Sequence, residues 1–563
     1  MQNQSSTFYQ THSPVLEAAV KAVHERSFYS AYPENPSPKT YGETADADGK
    51  AAFEAMLGKP FAELKQYKPE YWAGEEVSPY TQEALGITYP VFDTDFLLER
   101  AKADASAWAS LSPEQRAGIL IETLERIKGR FFEIAYATMH TTGQGYMMAF
   151  QASGPHAADR ALEAIALGYE ELKRFPESVL WDKPMGKFNI RLDKKWKAVP
   201  RGVSLVIGCS TFPTWNTVPG LYASLITGNT VIVKPHPKAI IPIAIVVAEI
   251  QSVLKECGLD AGICQLAADT QEHPLTLELA ESPAVSLIDY TGGTAFGNRL
   301  EAISGKTVFT EKAGVNSVIL DSVKDLDPVL ANLAFSVCLY SGQMCTAPQN
   351  FFIPAKGIET SEGKVSFDEV AERFCKQVLA LTENPKAGPF VLGAIQNPAT
   401  KDRVGNSGSL AKVLLASGNI TNPQYPNART ATPLVLETAS ENLALFSSEL
   451  FGPIALLIKT HNTDQSIELA ADLAGKHGAI SCGAYTTDER IMDSVEEAMG
   501  AVGTPVSFNL TGGIYVNQNA GFSDFHVTGG NPAGNASFTN PEFIVKRFTW
   551  VGFRRPAAEP VSA

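Results

Sequence analysis

Apolar residues recur at helical spacing from Asp95 onward, at Leu97, Leu98, Ala101, Ala105 and Trp108, and the pattern returns over residues 116–127. Packed helices are predicted there. Beyond Arg201-Gly202 the texture changes to short β-branched runs alternating with helical stretches: residues 203–207, 230–233 and 286–289 read as strands, and 242–257 as a helix. Such alternation predicts a parallel sheet covered by helices on both faces. A second α/β half opens near Glu311, with strands expected over 317–320, 350–353 and 454–458. Residues 181–197 read as a hairpin and 542–553 as a terminal strand, two pieces expected to lie together as an arm. Residues 1–88 form a separate lead-in, with helical patterns near 15–25 and 49–57 around the turn-rich Tyr32-Pro33-Glu34-Asn35-Pro36-Ser37-Pro38.

At 563 residues the chain exceeds the roughly 250–300 at which single cores stop growing, so more than one domain is expected. The 44% apolar and 19% charged residues fit a globular protein. The net charge of −15 is spread along the chain, and no basic cluster is longer than Asp193-Lys194-Lys195-Trp196-Lys197, which argues against nucleic acid as a partner. The start lacks the basic and apolar regions of a signal peptide. The most apolar stretch, 239–247, is broken by Pro242 and falls short of the ~20 residues a membrane span needs. Seven scattered cysteines without a CxxC pair fit reduced thiols in the cytoplasm, with no metal site expected.

Candidate chemistry centres on Cys345, in Tyr340-Ser341-Gly342-Gln343-Met344-Cys345-Thr346, and on Glu311 upstream in Thr310-Glu311-Lys312-Ala313-Gly314. A thiol nucleophile and a carboxylate base are what an aldehyde needs to pass through a thioester to an acid. Taken alone, Cys345 reads as a structural cysteine. Gly342 lets backbone approach the thiol, and a helix starting nearby is expected to lower its pKa. Partial burial is expected to raise Glu311 toward neutrality. Asn216, on the loop after the first predicted strand, offers an amide donor to an oxyanion, or simply supports a turn. Lys234 closes the next strand, where a ribose contact and a surface lysine are both open readings. Thr291-Gly292-Gly293-Thr294-Ala295-Phe296-Gly297 leads from a strand into a helix whose first N–H groups could face a phosphate.

In order, TFPTWN, VKPHP, TGGTAFG, EKAG, GQMC and ELFGP resemble the aldehyde dehydrogenase superfamily over residues 90–555. His140-Thr141-Thr142-Gly143-Gln144, Gly154-Pro155-His156-Ala157-Ala158-Asp159-Arg160, the 212–215 stretch, Phe522-Ser523-Asp524-Phe525-His526 and the N-terminal extension resemble the ring-opening aldehyde dehydrogenases of phenylacetic acid degradation. The resemblance implies two doubly wound parallel α/β domains, a small β oligomerisation arm and an N-terminal helical extension. The expected boundaries are 1–88 for the extension, 89–180 with 198–310 for cofactor binding, 181–197 with 538–563 for the arm, and 311–537 for catalysis. It implies Cys345 as nucleophile, Glu311 as general base and Asn216 as oxyanion donor. It places Lys234 on the adenosine ribose and Glu449 on the nicotinamide ribose. Gly292 and Gly297 fall beneath the pyrophosphate, and Phe451 at the nicotinamide. Thr211, Trp215, His236, Thr291 and Gly293 complete the expected cofactor contacts.

Three departures stand out. Pro237 replaces the glutamate often found three residues after the lysine, which tips the choice between NADP and NAD slightly toward NADP, with His236 and Lys238 as phosphate partners. Gly293 replaces a frequent serine, and Lys312-Ala313 replaces Leu-Gly after the base. The expected substrate is an aldehyde carried on coenzyme A, and the expected assembly a homodimer or larger homo-oligomer. Two rivals stay open: a CoA-acylating dehydrogenase, and a cysteine hydrolase in which Gln343, Cys345 and a distant His526 form the site.

Overall fold

The computed structural model describes residues 2–512, 521–523 and 525–557; Asp524 and residues 558–563 of the expected arm lie outside the described residues. Two parallel sheets organise the chain. The first has five strands in the order Cys264–Leu266, Thr230–Lys234, Val203–Ile207, Val285–Thr291 and Thr307–Glu311, all parallel. Val203–Ile207 and Thr230–Lys234 are buried along their whole length, as strands covered on both faces must be. The helices Pro213–Ile226 and Ile241–Glu256 supply part of that cover, sharing one core with the first sheet.

The second sheet has seven strands in the order Lys412–Leu415, Leu434–Ala439, Ile454–Thr460, Asn350–Pro354, Ser317–Leu320, Cys482–Tyr485 and Val506–Phe508. Only the edge strand Lys412–Leu415 is antiparallel to its neighbour. The fold class is therefore α/β with two parallel sheets. One shift of register between sequence and structure matters: Thr307–Glu311 closes the first sheet, so Glu311 ends that sheet instead of opening the second half.

Ser178–Met185 and Phe188–Pro200 form the expected hairpin, and Phe548–Pro556 pairs antiparallel with its second strand. The terminal strand starts later than its apolar pattern suggested. Pro541–Val545 is instead a short helix, with Asn540 capping the Glu542 N–H and proline in the first turn. Arg547 ties this segment to the first sheet through a fully buried bidentate pair with Asp289, at 2.8 and 2.6 Å.

The N-terminal lead-in is not a separate body. Helix Gln2–Glu25 buries Leu16, Ala19 and Ala22 in the same core as Leu120 and Leu162. Helix Ala45–Met56 lays Phe53 flat on His140, with ring centroids 5.1 Å apart. Among the described residues no helix is long and apolar enough to cross a membrane.

Candidate active site

Cys345 sits in a turn between the two sheets, and the helix expected beside it is absent. The preceding short helix, Leu339–Gly342, has left-handed backbone at Tyr340 (φ 52°) and Ser341 (φ 51°), followed by Gly342 at φ 61°. Three successive left-handed residues persist only where the surroundings hold them. Tyr340 Oη donates to the Thr142 carbonyl at 2.7 Å, Ser341 Oγ to Leu392 at 2.9 Å, and Gln343 Nε2 to Ala394 at 3.0 Å. Gly342 is required by space as well as by φ, since a Cβ there would lie 2.4 Å from the Gly452 carbonyl oxygen. Asn316 then fixes Cys345 itself, donating from Nδ2 to the Cys345 carbonyl at 2.7 Å while its Oδ1 accepts from Ile480 and Ser481 N–H.

Three side chains from distant parts of the sequence converge on the thiol. Glu311 ends the edge strand of the first sheet, and its Oε2 accepts from Asn216 Nδ2 at 2.9 Å. Asn216 lies in the first helical turn after Pro213, so a helix and not the expected loop fixes it. Its donor is engaged by Glu311 and must be released before it can serve an oxyanion. His526 Nε2 stands 3.2 Å from Glu311 Oε1 and 3.9 Å from Cys345 Sγ.

The electrostatics reverse two sequence expectations. Burial pushes Cys345 well above the usual thiol range and the Glu311 charge pushes it further, so the resting sulfur is protonated. Burial would also raise Glu311, but the His526 contact, the Cys345 thiol and the Arg160 charge outweigh it and hold the carboxyl below its ordinary value. The base is thus ionised at neutral pH. Arg160 is 2% exposed and places its guanidinium 3.9 Å from the Trp215 ring centre. None of its three nitrogens has a hydrogen-bond partner among the described residues.

A cavity of about 710 Å³ opens on one side of this cluster, lined by Asn216, Lys234, Gly292, Glu311, Cys345 and Glu449 among others. It lies at the carboxyl ends of the first-sheet strands, where α/β sheets bind ligands. Lys234 is buried, which removes the surface-lysine reading, and its Nζ pairs with Asp269 Oδ1 at 2.7 Å. Burial lowers the lysine and raises the aspartate, each opposed by the other's charge. Gly293 is the N-cap of helix Thr294–Glu301, which leaves that helix start bare beside the cavity. Gly293 has open space where a side chain would be, whereas Gly297 packs inside the helix against Lys312 and Tyr290 and does not line the cavity. Thr211, Thr291, His236 and Phe451 line it; Trp215 does not.

His236 departs from its expected role as a cationic phosphate partner. Burial and the nearby Lys234 and Lys238 charges lower it to about 4, so the ring is neutral. Burial raises Glu449 to about 7, against the pull of Arg403.

On the other side, Cys345 also lines an apolar chamber of about 450 Å³ with Met148, Trp215, Phe335, Met344 and His526. Met147 and Phe390 are shared with a further cavity of about 940 Å³, walled partly by Phe53 and Asp46 of the N-terminal extension. The thiol therefore stands at the junction of a nucleotide-sized cavity and a chamber fit for an apolar chain. The sequence signals for this are uneven: His526 stands in a resemblance phrase and in the hydrolase reading but carries no role beside Glu311, and Asp269 and Arg160 carry no expectation of their own.

A thiol beside an ionised carboxylate and a strand-end cavity fits an oxidoreductase site, and the chain belongs to the aldehyde dehydrogenase family, whose model matches residues 73–531. A solved NAD-dependent aldehyde dehydrogenase from Burkholderia multivorans is 45% identical, covers 98% of this chain and 99% of its own, and superimposes with a TM-score of 0.96. The 1-pyrroline-5-carboxylate dehydrogenase of Bacillus subtilis (strain 168) is 24% identical over 76% of this chain and 83% of its own length. A benzaldehyde dehydrogenase [NAD(+)] of Pseudomonas putida is 24% identical over 86% and 94%. The chain is an aldehyde dehydrogenase that uses NAD or NADP.

Proposed function

We propose that the chain oxidises a CoA-linked semialdehyde, of the 3-oxo-5,6-dehydrosuberyl-CoA semialdehyde type in phenylacetate degradation, to the carboxylic acid. The observation that carries this reading is the position of Cys345, on the wall of both the nucleotide cavity and the apolar chamber. The phrases around His140, Arg160 and Phe522 support the pathway, and the further cavity beyond Met147 supports a long substrate.

In the proposed cycle the Cys345 thiol gives up its proton to solvent, its sulfur attacks the aldehyde carbon, and Asn216, once released by Glu311, donates to the resulting alkoxide. Lys234, Glu449 and Phe451 line the cavity that would hold a nicotinamide cofactor, which would supply the hydride acceptor there. Glu311 then deprotonates the water that hydrolyses the Cys345 thioester. Lys234 and Glu449 would hold the two riboses, and the helix start at Gly293 the pyrophosphate.

Glu311 at the thiol favours water over free CoA as the acyl acceptor, and the nucleotide cavity disfavours a cofactor-free hydrolase. One assay separates these readings: purified protein with a semialdehyde-CoA and with simple aldehydes, against NAD and NADP, with and without free CoA. Acid product with the CoA-linked substrate and no need for free CoA is expected. A strict requirement for free CoA, or turnover without a nicotinamide cofactor, would overturn the proposal.

Asp269 bears on cofactor choice. Its carboxylate, paired with Lys234, restores at the ribose end the negative charge that Pro237 removes, which supports NAD over the NADP suggested by sequence. Asp269→Asn is expected to raise kcat/KM for NADP relative to NAD by about 10-fold, a change of about 1.4 kcal/mol. An unchanged ratio in steady-state assays rejects this role.

The arm exposes Leu180, Met185, Phe188, Ile190 and Phe553, which supports pairing with a second copy of the chain. A cytoplasmic setting would keep all seven thiols reduced.

A further inference from the structure

We propose that His526 is a further catalytic residue, whose Nε2–H donates to the Cys345 sulfur as the thiol ionises and so stabilises the nucleophile as thiolate. The proposal rests on the reading of Cys345 as nucleophile. The geometry carries it. The oxygen of Glu311, the sulfur of Cys345 and a ring nitrogen of His526 all lie within 4.8 Å of one another. His526 is 1% exposed, so water does not compete for these contacts. Its ring meets Trp215 edge-on, with centroids 4.7 Å apart, and stacks toward Phe538 at 6.4 Å. These aromatic walls hold the plane of the ring, and the Glu311 contact turns Nε2 toward the sulfur.

Nε2 faces an ionised carboxylate at 3.2 Å, and a bare lone pair there would be repelled, so the network assigns a proton to Nε2. Nδ1 has no partner among the described residues. Among the described residues the polar groups recorded against Cys345 Sγ are Glu311 and His526, and of these two His526 holds a proton to offer an anionic sulfur without first taking one. In the proposed step the S–H bond of Cys345 breaks and its proton passes to solvent water through the adjoining cavity. The electron pair stays on sulfur. The Nε2–H turns from the Glu311 carboxylate to the thiolate, and Glu311 stays ionised for the later activation of water.

The groups facing this exchange are few. Arg160 acts on Glu311 and Cys345 from below Trp215, and Glu163 opposes it from the same helix. Glu311, Cys209 and Glu449 disfavour a negative sulfur. A donor at His526 is what offsets them at contact distance, because a hydrogen bond to an ionised group is roughly twice as strong as a neutral one.

The test follows the sulfur and not the product. Iodoacetamide alkylation of Cys345, read on its peptide by mass spectrometry across pH 5–10, is measured for wild type, His526→Leu and His526→Gln. The leucine variant is expected to alkylate about 10-fold more slowly at pH 7, with its midpoint about one pH unit higher. The glutamine variant keeps an N–H donor and is expected between the two. A leucine profile superimposable on wild type overturns the proposal. So does a glutamine profile as displaced as leucine, since the effect would then come from ring shape. NADH fluorescence titration checks that each variant keeps its cofactor site. Failure of the nucleophile reading shows up separately, as turnover retained in Cys345→Ala.

Discussion

Cys345→Ala is expected to lower aldehyde oxidation by roughly 10⁴- to 10⁶-fold while leaving cofactor binding intact. The size of the loss follows from the architecture around the residue. The left-handed turn at Tyr340, Ser341 and Gly342 and the Asn316 clamp place one sulfur, and no second nucleophile, at the junction of the two cavities. Cys209 also lines the nucleotide cavity, but burial raises it to about 11 and it does not reach the apolar chamber. It cannot substitute. Steady-state rates with NAD and NADP, beside NADH titration, measure both halves of the prediction. Retained oxidation at more than about one-hundredth of the wild-type rate would reject Cys345 as nucleophile.

Glu311→Gln is expected to separate the two halves of the cycle. One equivalent of reduced cofactor per site should appear rapidly, followed by turnover slowed by roughly 10²- to 10⁴-fold, because the thioester forms but its hydrolysis lacks a base. The variant keeps an amide oxygen for the Asn216 Nδ2 contact, so the local packing is preserved. The pH profile adds a second check. The wild-type carboxyl is held below its ordinary value, so it stays ionised at neutral pH and loses its base form only as pH falls through that lowered value. Deacylation in the wild type should therefore persist into mildly acid solution. Stopped-flow traces that show no burst, or steady-state turnover equal to wild type, would remove Glu311 from the deacylation step.

Much of the fold could be read from periodicity, and the reason lies in burial. Val203–Ile207 and Thr230–Lys234 are buried along their whole length and read as short runs rich in β-branched residues, and Ile241–Glu256 matches its expected helix within one residue at each end. Cys264–Leu266, three residues long, gives periodicity nothing to work on. Thr307–Glu311 is only partly buried at its start and carried no strand signal, which is how Glu311 came to be assigned to the wrong half.

The site was legible where a motif named a residue and illegible where two distant segments had to meet. Cys345, Glu311 and Asn216 stand in short phrases. His526 lies 181 residues beyond the cysteine it touches, and Asp269 reaches Lys234 from the end of a different strand. The direction of the two central pKa shifts was also out of reach, because it depends on the His526 contact and the Arg160 charge that only folding brings to Glu311.

Gly342 touches the backbone of Gly452, one residue past Phe451 in the loop that carries Glu449. The contact has no compressible side chain on either side, so the turn bearing the sulfur and the loop bordering the nucleotide cavity cannot drift independently. They are geared. A displacement of one is expected to carry the other, so that Cys345 keeps its place against Phe451 while the side chains that wall the apolar chamber vary.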